Sequence, residues 1–140
     1  MNLLNSDNFW QFSCAFYEQC DNQQTLLALQ NQQGKNVNLC LLLHYLDSLG
    51  LKINSNQLDI LVATISDFDQ NVMCPLRTAR AHLKANQATI SGYACIRKEL
   101  LSAELKLEKQ QQQILIDAVN CMDLAKQAAP HNIEMYLANT

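Results

Sequence analysis

The chain has 140 residues, of which 49% are hydrophobic and 16% charged, and its formal net charge is −3. This length and composition indicate one globular domain with its own core and exclude a disordered chain. The small negative charge gives no general reason to expect binding to nucleic acid or anionic membranes. Only 3 glycines and 2 prolines are present, which favours helices with short loops over strands and hairpins.

The composition also bears on location and on the cysteines. No basic and apolar leader opens the sequence, and the most apolar stretch, residues 37–49, is too short to cross a bilayer. We therefore expect a cytoplasmic protein without a membrane segment. The six cysteines are dispersed without a C-x-x-C pair and are interpreted as small buried hydrophobic residues. The many Asn and Gln residues are interpreted as uncharged surface positions.

The sequence predicts a first helix over about residues 7–19, with Ser6 or Asp7 as its N-cap. Its apolar side chains form two stripes about 100° apart on the helical wheel. The stripes consist of Phe9, Phe12 and Phe16, and of Trp10, Cys14 and Tyr17. Two explanations stay open. The helix is wedged between two neighbours in the core, or its aromatic residues line a ligand groove. The groove candidates are Phe9, Trp10, Phe12 and Tyr17.

The second and third helices form a pair separated by glycine. The second begins near Asp21 and ends at Gly34, where glycine is the usual helix-ending residue. The third covers about residues 36–49, is apolar almost all round and ends at Gly50. A helix of that kind is normally the central helix of a bundle.

The fourth and fifth helices follow. The fourth begins after Asn54, where Gln57 completes a capping box. Pro75 begins the fifth, because proline fits the first helical turn. The inward positions of the fifth helix are Leu76, Ala79 and Leu83.

A long C-terminal helix is predicted from Tyr93 onwards. Its apolar seam repeats every seven residues through Leu100, Leu107, Ile114 and Cys121. The glutamines at residues 110–113 predict either a break in this helix or an exposed face. Pro130 ends the pattern. A last turn with Ile133, Tyr136 and Leu137 is expected to dock back onto the bundle.

These elements predict one fold class. No segment shows the alternation of a strand. The sequence therefore predicts an all-α, single-domain bundle of about six helices that ends in a long C-terminal helix. The domain spans residues 1–140, with a core over about residues 7–128 and a short tail over residues 129–140.

The clearest candidate site is a basic stripe on the fifth helix. Arg77, Arg80 and Lys84 recur at i, i+3 and i+7 beside the apolar positions. Positive charge in the first turn of a helix opposes the helix dipole. Arg77 therefore has either an ion-pair partner, with Asp67 and Asp69 nearest, or an anionic ligand such as phosphate or RNA.

Two further patterns do not predict catalysis or metal binding. His44 and Asp47 are three residues apart and are interpreted as a hydrogen-bonded polar pair in the core, in preference to a catalytic base with its orienting acid. Residues 67–71 begin like a calcium loop, but Val72 stands where such a loop needs glycine and Thr78 where it needs glutamate. We expect no cofactor and no metal.

Three motifs occur in order between about residues 8 and 115. They are F-W-x-F-S, L-Q-x-x-x-G-x-x-V-N and P-L-R-x-x-R-x-x-L-K, found here as FWQFS, LQNQQGKNVN and PLRTARAHLK. Together they resemble a small proteobacterial family of uncharacterised helical proteins, from which Asn36 departs because an Asp is expected there. The resemblance implies an all-helical cytoplasmic domain and transfers no activity and no catalytic residue.

The function favoured by these observations is a non-enzymatic helical module that binds a protein partner or a second copy of itself. Its contact surfaces would be the first helix and the long last helix. The alternative is anion or RNA binding through Arg77, Arg80 and Lys84. An enzyme is the least favoured class, because no nucleophile or cofactor motif is present.

Overall fold

The computed structural model describes residues 3–138, and this part of the chain is helical almost throughout, as the sequence predicted. Its seven α-helices are α1 Ser6–Glu18, α2 Asn22–Gln33, α3 Val37–Leu49, α4 Ser55–Phe68, α5 Cys74–Ala85, α6 Tyr93–Asn120 and α7 Asn132–Ala138. A π-helical segment, Asp69–Met73, joins α4 to α5, and a 3₁₀ turn, Gln87–Thr89, follows α5. The predicted long C-terminal helix is α6. None of the helices in residues 3–138 combines the length and hydrophobicity needed to span a membrane.

The prediction that the chain has no strand was wrong in one small respect. Strands β1 Leu51–Lys52 and β2 Ala125–Lys126 pair in antiparallel fashion, directly after α3 and soon after α6. Two residues are too few to produce the alternating pattern by which a strand is recognised in a sequence. The pairing continues in a hydrogen bond from the Gln127 N–H to the Gly50 carbonyl, 2.9 Å long.

The helix boundaries follow local signals. Gly34 and Gly50 adopt left-handed conformations at the ends of α2 and α3, as predicted. The capping box of Asn54 and Gln57 is present at the start of α4. The N-cap of α1 is Asn5, one residue before the predicted positions, and its side-chain oxygen accepts hydrogen bonds from two backbone N–H groups of the first turn.

Helix α3 lies at the centre of the bundle, as its all-round hydrophobicity predicted. It packs against α1, α2, α6 and α7. The fully buried side chains of this core come from several elements. They include Phe9, Leu26, Leu39, Leu42, Leu43, Leu46, Ile53, Leu61, Leu115 and Ile116.

The predicted docking of the last turn is confirmed. Helix α7 packs against α3 and buries Tyr136, whose hydroxyl accepts a 3.0 Å hydrogen bond from the Asn36 N–H. The Asp47 carboxylate accepts hydrogen bonds from the N–H groups of Asn132 and Ile133 at the start of α7. Negatively charged groups are favoured at that end of a helix, so Asp47 fixes α7 in place.

Helix α6 differs from its prediction in two ways. It runs unbroken through residues 110–113, so these glutamines are not a break, and they form an exposed face only in part, because Gln110 and Gln113 are exposed whereas Gln111 and Gln112 are buried. The buried seam passes through Leu115 and Val119, whereas Ile114 is half-buried and Cys121 is exposed. The seam is therefore turned by one position, about 100°, from the predicted heptad, because the helix packs into a bundle and not against a single partner.

One composition-based interpretation was wrong and another held only in part. Of the six cysteines, only Cys40 is buried and Cys74 is half-buried, whereas Cys14, Cys20, Cys95 and Cys121 are exposed. The Asn and Gln residues are not all at the surface, because five are buried: Asn36, Asn38, Gln111, Gln112 and Asn132. Side-chain amides match buried and exposed positions equally well when their hydrogen bonds are satisfied, so composition alone does not separate the two.

Helix α5 is less buried than predicted. It contains no fully buried residue, since Leu76 and Leu83 are half-buried and Ala79 is exposed. The helix lies at the edge of the bundle, against the π-helical segment and α6.

Candidate functional site

A cavity of about 530 Å³ lies between α1, α2, α3, α5 and α6. We call it the central cavity. Trp10 and Tyr17 of α1 line it, and so do Arg77 and Arg80 of α5. The structure thus joins members of the two candidate sites that the sequence treated separately. The volume lies within the range of about 300–1,000 Å³ that is usual for small-molecule sites.

The two aromatic stripes of α1 have different environments. Phe9 and Phe12 pack on Tyr45 of α3, with ring centroids 5.5 and 5.0 Å apart. Phe16 lies 4.4 Å from the His44 ring, so this stripe belongs to the core. The other stripe faces the central cavity. The core explanation therefore holds for the phenylalanines, and Phe9 and Phe12 are not cavity residues.

Three buried side-chain amides form the floor of the central cavity. They are Asn38 of α3 and the consecutive Gln111 and Gln112 of α6, and we call them the amide cluster. The Asn38 Nδ2 donates to Gln111 Oε1 at 2.7 Å, and the Gln112 Nε2 donates to Asn38 Oδ1 at 3.1 Å. The Gln112 Nε2 also donates to Ser13 Oγ at 3.0 Å, which connects the amide cluster to α1.

The orientation of each amide follows from fixed partners at the edges of this network. The Leu39 N–H donates to Asn36 Oδ1, so the Asn36 Nδ2 is the group that faces Gln111 Oε1, at 3.5 Å. The Asn38 Nδ2 donates to the Glu108 carboxylate at 2.8 Å, so the Asn38 Oδ1 is left to accept from Gln112. A backbone N–H can only donate and a carboxylate can only accept, so neither amide can be turned round.

This network leaves two polar atoms without a partner. Within residues 3–138, neither the Gln111 Nε2 nor the Gln112 Oε1 makes a hydrogen bond, although both atoms are fully buried. The two residues expose only 1% and 2% of their surface. One unused atom is a donor and the other is an acceptor. An unpaired buried polar group costs about 1–3 kcal/mol of stability, so each requires an explanation.

The basic stripe is divided by the structure. The Arg77 Nη2 lies 3.2 Å from Asp69 Oδ1, and the Arg80 Nε lies 2.9 Å from Glu104 Oε2. Of the two carboxylates expected near Arg77, Asp69 is its partner, whereas Asp67 accepts a hydrogen bond from Asn71. Lys84 is exposed and does not line the central cavity.

Glu108 stands beside both the amide cluster and the ion pairs. Burial raises the pKa of its carboxyl, while the hydrogen bond from Asn38 and the charge of Arg77 lower it in part. The pKa of the Tyr17 hydroxyl is raised by burial and by the negative charge of Glu108. Gln111 and Gln112 on the α6 side of the cavity are buried, and hydrogen bonds there are stronger than in open solvent.

His44 and Asp47 do not form the predicted hydrogen-bonded pair. The Asp47 oxygens bind the start of α7, and no hydrogen bond joins the two side chains in the described part of the chain. His44 packs its ring on Phe16, and burial lowers the pKa of its imidazole although Asp47 raises it in part. Neither residue lines the central cavity.

Residues 8–115 match the model of the family described as Protein of unknown function (DUF2390). The chain belongs to this family. The resemblance to an uncharacterised domain family is thereby confirmed. No curated protein and no solved structure matches the chain. Every residue that lines the central cavity, from Trp10 to Gln112, falls inside the DUF2390 match, whereas β2 and α7 lie outside it.

The sequence reasoning missed the polar residues of this DUF2390 cavity. They include Ser13, Asn38, Glu108, Gln111 and Gln112. Glu104 does not line the cavity but forms the ion pair with Arg80, which does. One signal was present, since Asn38 interrupts the apolar third helix. A second was the spacing of Glu104, Glu108 and Gln111 at i, i+4 and i+7, which places three polar residues on one helix face in line with Leu115.

Proposed function

We propose that this chain is a non-enzymatic, cytoplasmic binding protein that holds a small organic ligand in the central cavity. The observation that carries the proposal is the pair of unpartnered buried atoms in the cavity floor, Gln111 Nε2 and Gln112 Oε1. A bound molecule that pairs with both atoms removes their cost. A cavity with apolar walls and a few convergent polar groups is the usual form of a small-molecule site.

The residues around the central cavity support binding more than catalysis. No histidine lines it, and the thiol of its one cysteine, Cys14, makes no hydrogen bond within residues 3–138. A nucleophile normally needs a base within hydrogen-bond reach, and the base needs a group that orients it. Of the two carboxylates that line the cavity, Glu18 and Glu108, the second instead accepts a hydrogen bond from Asn38.

The test is a fragment screen by protein-observed NMR. Fragments of mixed chemistry are added to ¹⁵N-labelled protein, and the shifted resonances, including the side-chain amides of Gln111 and Gln112, locate each binding site. We expect hits in the central cavity that Val37→Phe abolishes, because Val37 lines the cavity wall. Val62→Phe is the matched control, since Val62 is on α4 and 36% exposed. A screen without cavity hits refutes the proposal.

A protein partner is the second candidate. The observations that favour it are the poorly buried α5 and two apolar side chains of α6, Ile96 and Leu105, which are 37% and 52% exposed, although Leu105 also lines the central cavity. Light scattering after size exclusion measures the mass of the native protein. A dimer that Ile96→Lys and Leu105→Lys dissociate supports self-association, and a monomer at high concentration opposes it.

Anion or RNA binding has less support in the geometry. An anion would compete with Asp69 for Arg77 and with Glu104 for Arg80. Of the predicted stripe, Lys84 alone is both exposed and without an ion pair to a described residue.

A further inference from the structure

The unpartnered atoms of the central cavity define a recognition pattern. The free donor, Gln111 Nε2, and the free acceptor, Gln112 Oε1, belong to consecutive residues of α6. Their roles are fixed by the network around Asn38. A ligand that satisfies both must offer an acceptor to one atom and a donor to the other, and an amide or lactam offers both as a carbonyl and an N–H. Side-chain amides also donate to and accept from the edges of nucleic-acid bases.

The charges around the cavity argue against an anionic ligand. Its lining includes Arg77 and Arg80 but also Glu18 and Glu108. Each arginine is further matched by a carboxylate of its own, Asp69 or Glu104. Because the Gln112 Oε1 is an acceptor, a carboxylate ligand would also face an oxygen that offers it no proton.

The aromatic side chains of the cavity wall also restrict the class of ligand. Trp10 and Tyr17 present aromatic surface to the cavity, and both are half-buried. Lys109 Nζ lies 4.9 Å from the centroid of the Trp10 ring, which holds the indole in position. Aromatic side chains of this kind stack favourably on planar rings.

We infer that the ligand of the central cavity is an uncharged planar molecule with an amide or lactam edge that pairs with Gln111 Nε2 and Gln112 Oε1. This inference rests on the proposed function and specifies its ligand class. The matching edge is a primary amide on an aromatic ring or the lactam of a nucleobase-like heterocycle. The edge lies on the amide cluster, and the ring lies against the α1 side of the cavity.

The probes are two matched pairs of small compounds, nicotinamide with nicotinic acid and uracil with 1,3-dimethyluracil. Each pair differs in the amide or lactam edge and keeps the ring. Trp10 is the only tryptophan in the chain and lines the cavity, so its fluorescence reports binding directly. For compounds of this size we expect dissociation constants of about 1–10 mM for nicotinamide and uracil. We expect binding at least about tenfold weaker for their partners, since each lost hydrogen bond leaves a buried group unpaired.

The variants Gln111→Met and Gln112→Met keep the side-chain length and remove one member of the recognition pair each. Both should weaken nicotinamide binding by about tenfold or more, whereas Gln110→Met should not, because Gln110 is the exposed neighbour on the same helix. Thermal unfolding checks that each variant is folded. The comparison of the matched compounds on the wild-type protein does not depend on any variant.

The outcomes separate this inference from the proposed function. If nicotinic acid and 1,3-dimethyluracil bind as well as their partners, the cavity is a ligand site but the amide edge is not recognised. If none of the four compounds binds while the fragment screen finds other cavity ligands, the inference again fails alone. If the fragment screen also finds no ligand in the cavity, both fail.

Discussion

Replacing Asn38 by leucine tests how the amide cluster balances stability against binding. Asn38 is 3% exposed and is the centre of three hydrogen bonds, to Glu108, Gln111 and Gln112, with lengths of 2.8, 2.7 and 3.1 Å. Three such bonds contribute about 3 kcal/mol in total. The apolar leucine side chain returns about 1 kcal/mol through burial. We therefore expect Asn38→Leu to lower the free energy of unfolding by about 2 kcal/mol.

The same reasoning predicts the opposite result when the whole amide cluster is replaced. The triple variant Asn38→Leu, Gln111→Leu and Gln112→Leu removes both unpartnered atoms, each of which costs about 1–3 kcal/mol. Replacing a buried polar group together with its partners is often neutral or stabilising. We expect the triple variant to be at least as stable as the wild-type protein, although it lacks a ligand site.

Urea unfolding followed by circular dichroism measures both changes. A loss of about 2 kcal/mol lowers the melting temperature by about 4–8 °C in a domain of this size. Gln110→Leu, on the exposed side of α6, is the control and should change stability by less than about 0.5 kcal/mol. If the triple variant loses more stability than Asn38→Leu, the amide cluster is a structural network and the argument for an open site is wrong.

Three further predictions concern protonation, thiol reactivity and backbone conformation. Burial raises the pKa of Glu108 above its ordinary value of 4.5, so the folded protein binds this proton more tightly than the unfolded chain does. The wild-type protein therefore loses stability as the pH rises from 4.5 through the raised pKa. Glu108→Gln lacks this loss, so in urea unfolding its free energy of unfolding relative to that of the wild-type protein should be higher at pH 7 than at pH 4. Burial raises the pKa of the Cys40 thiol to about 12, so Ellman's reagent should modify Cys40 only after unfolding, and in the native protein it should react first with the exposed cysteines at positions 14, 20, 95 and 121. Gly50→Ala should lower the melting temperature more than its control Gly34→Ala does. Both glycines have a φ near +66°, but only at Gly50 would the new Cβ lie 3.2 Å from the Gln127 carbonyl oxygen. Equal decreases in melting temperature would contradict this.

The parts of the fold that the sequence predicted are those with local signals. The apolar circumference of α3, the Asn54 capping box and the glycines that end α2 and α3 each depend on neighbouring residues only. Likewise, Asp69 is eight residues before Arg77 and was a foreseeable partner. Glu104 is 24 residues after Arg80 and was not, because only the packing of α5 on α6 brings the two together.

The central cavity depended on information that local patterns do not contain. Residues 110–113 are all glutamine, so residue type does not distinguish them. In the structure Gln110 and Gln113 are exposed, whereas the two glutamines between them are buried. Which pair turns inward is decided by the rotation of α6 against α1 and α3. The sequence also separated the aromatic stripe from the basic stripe, since Arg77 comes 60 positions after Tyr17. Their shared cavity is a product of tertiary structure.

Two amides elsewhere in the fold, the buried Asn132 and the half-buried Asn120, differ from the amide cluster in their hydrogen bonds. Asn132 accepts from the Ile53 N–H and donates to the Leu51 carbonyl, so both ends of its amide are used. Asn120 similarly accepts from the N–H of Leu4 and donates to its carbonyl. These two amides connect loops and termini, and their hydrogen bonds are closed within the chain. Among the described residues, the unpaired buried side-chain atoms belong to Gln111 and Gln112, and both residues line the central cavity.

If the amide cluster served only to hold helices together, each of its polar atoms would be expected to have a hydrogen-bond partner within the chain, as in these two amides. An apolar alternative was available, because leucine or methionine at all three positions of the amide cluster would continue the apolar seam of Leu115 and Val119 and leave none of the three amides unpaired. The chain instead keeps one free donor and one free acceptor at the bottom of a cavity with aromatic walls. The unpaired atoms of Gln111 and Gln112 lower the stability of the fold beside a cavity large enough for a ligand, and such a local loss of stability is typical of a binding site.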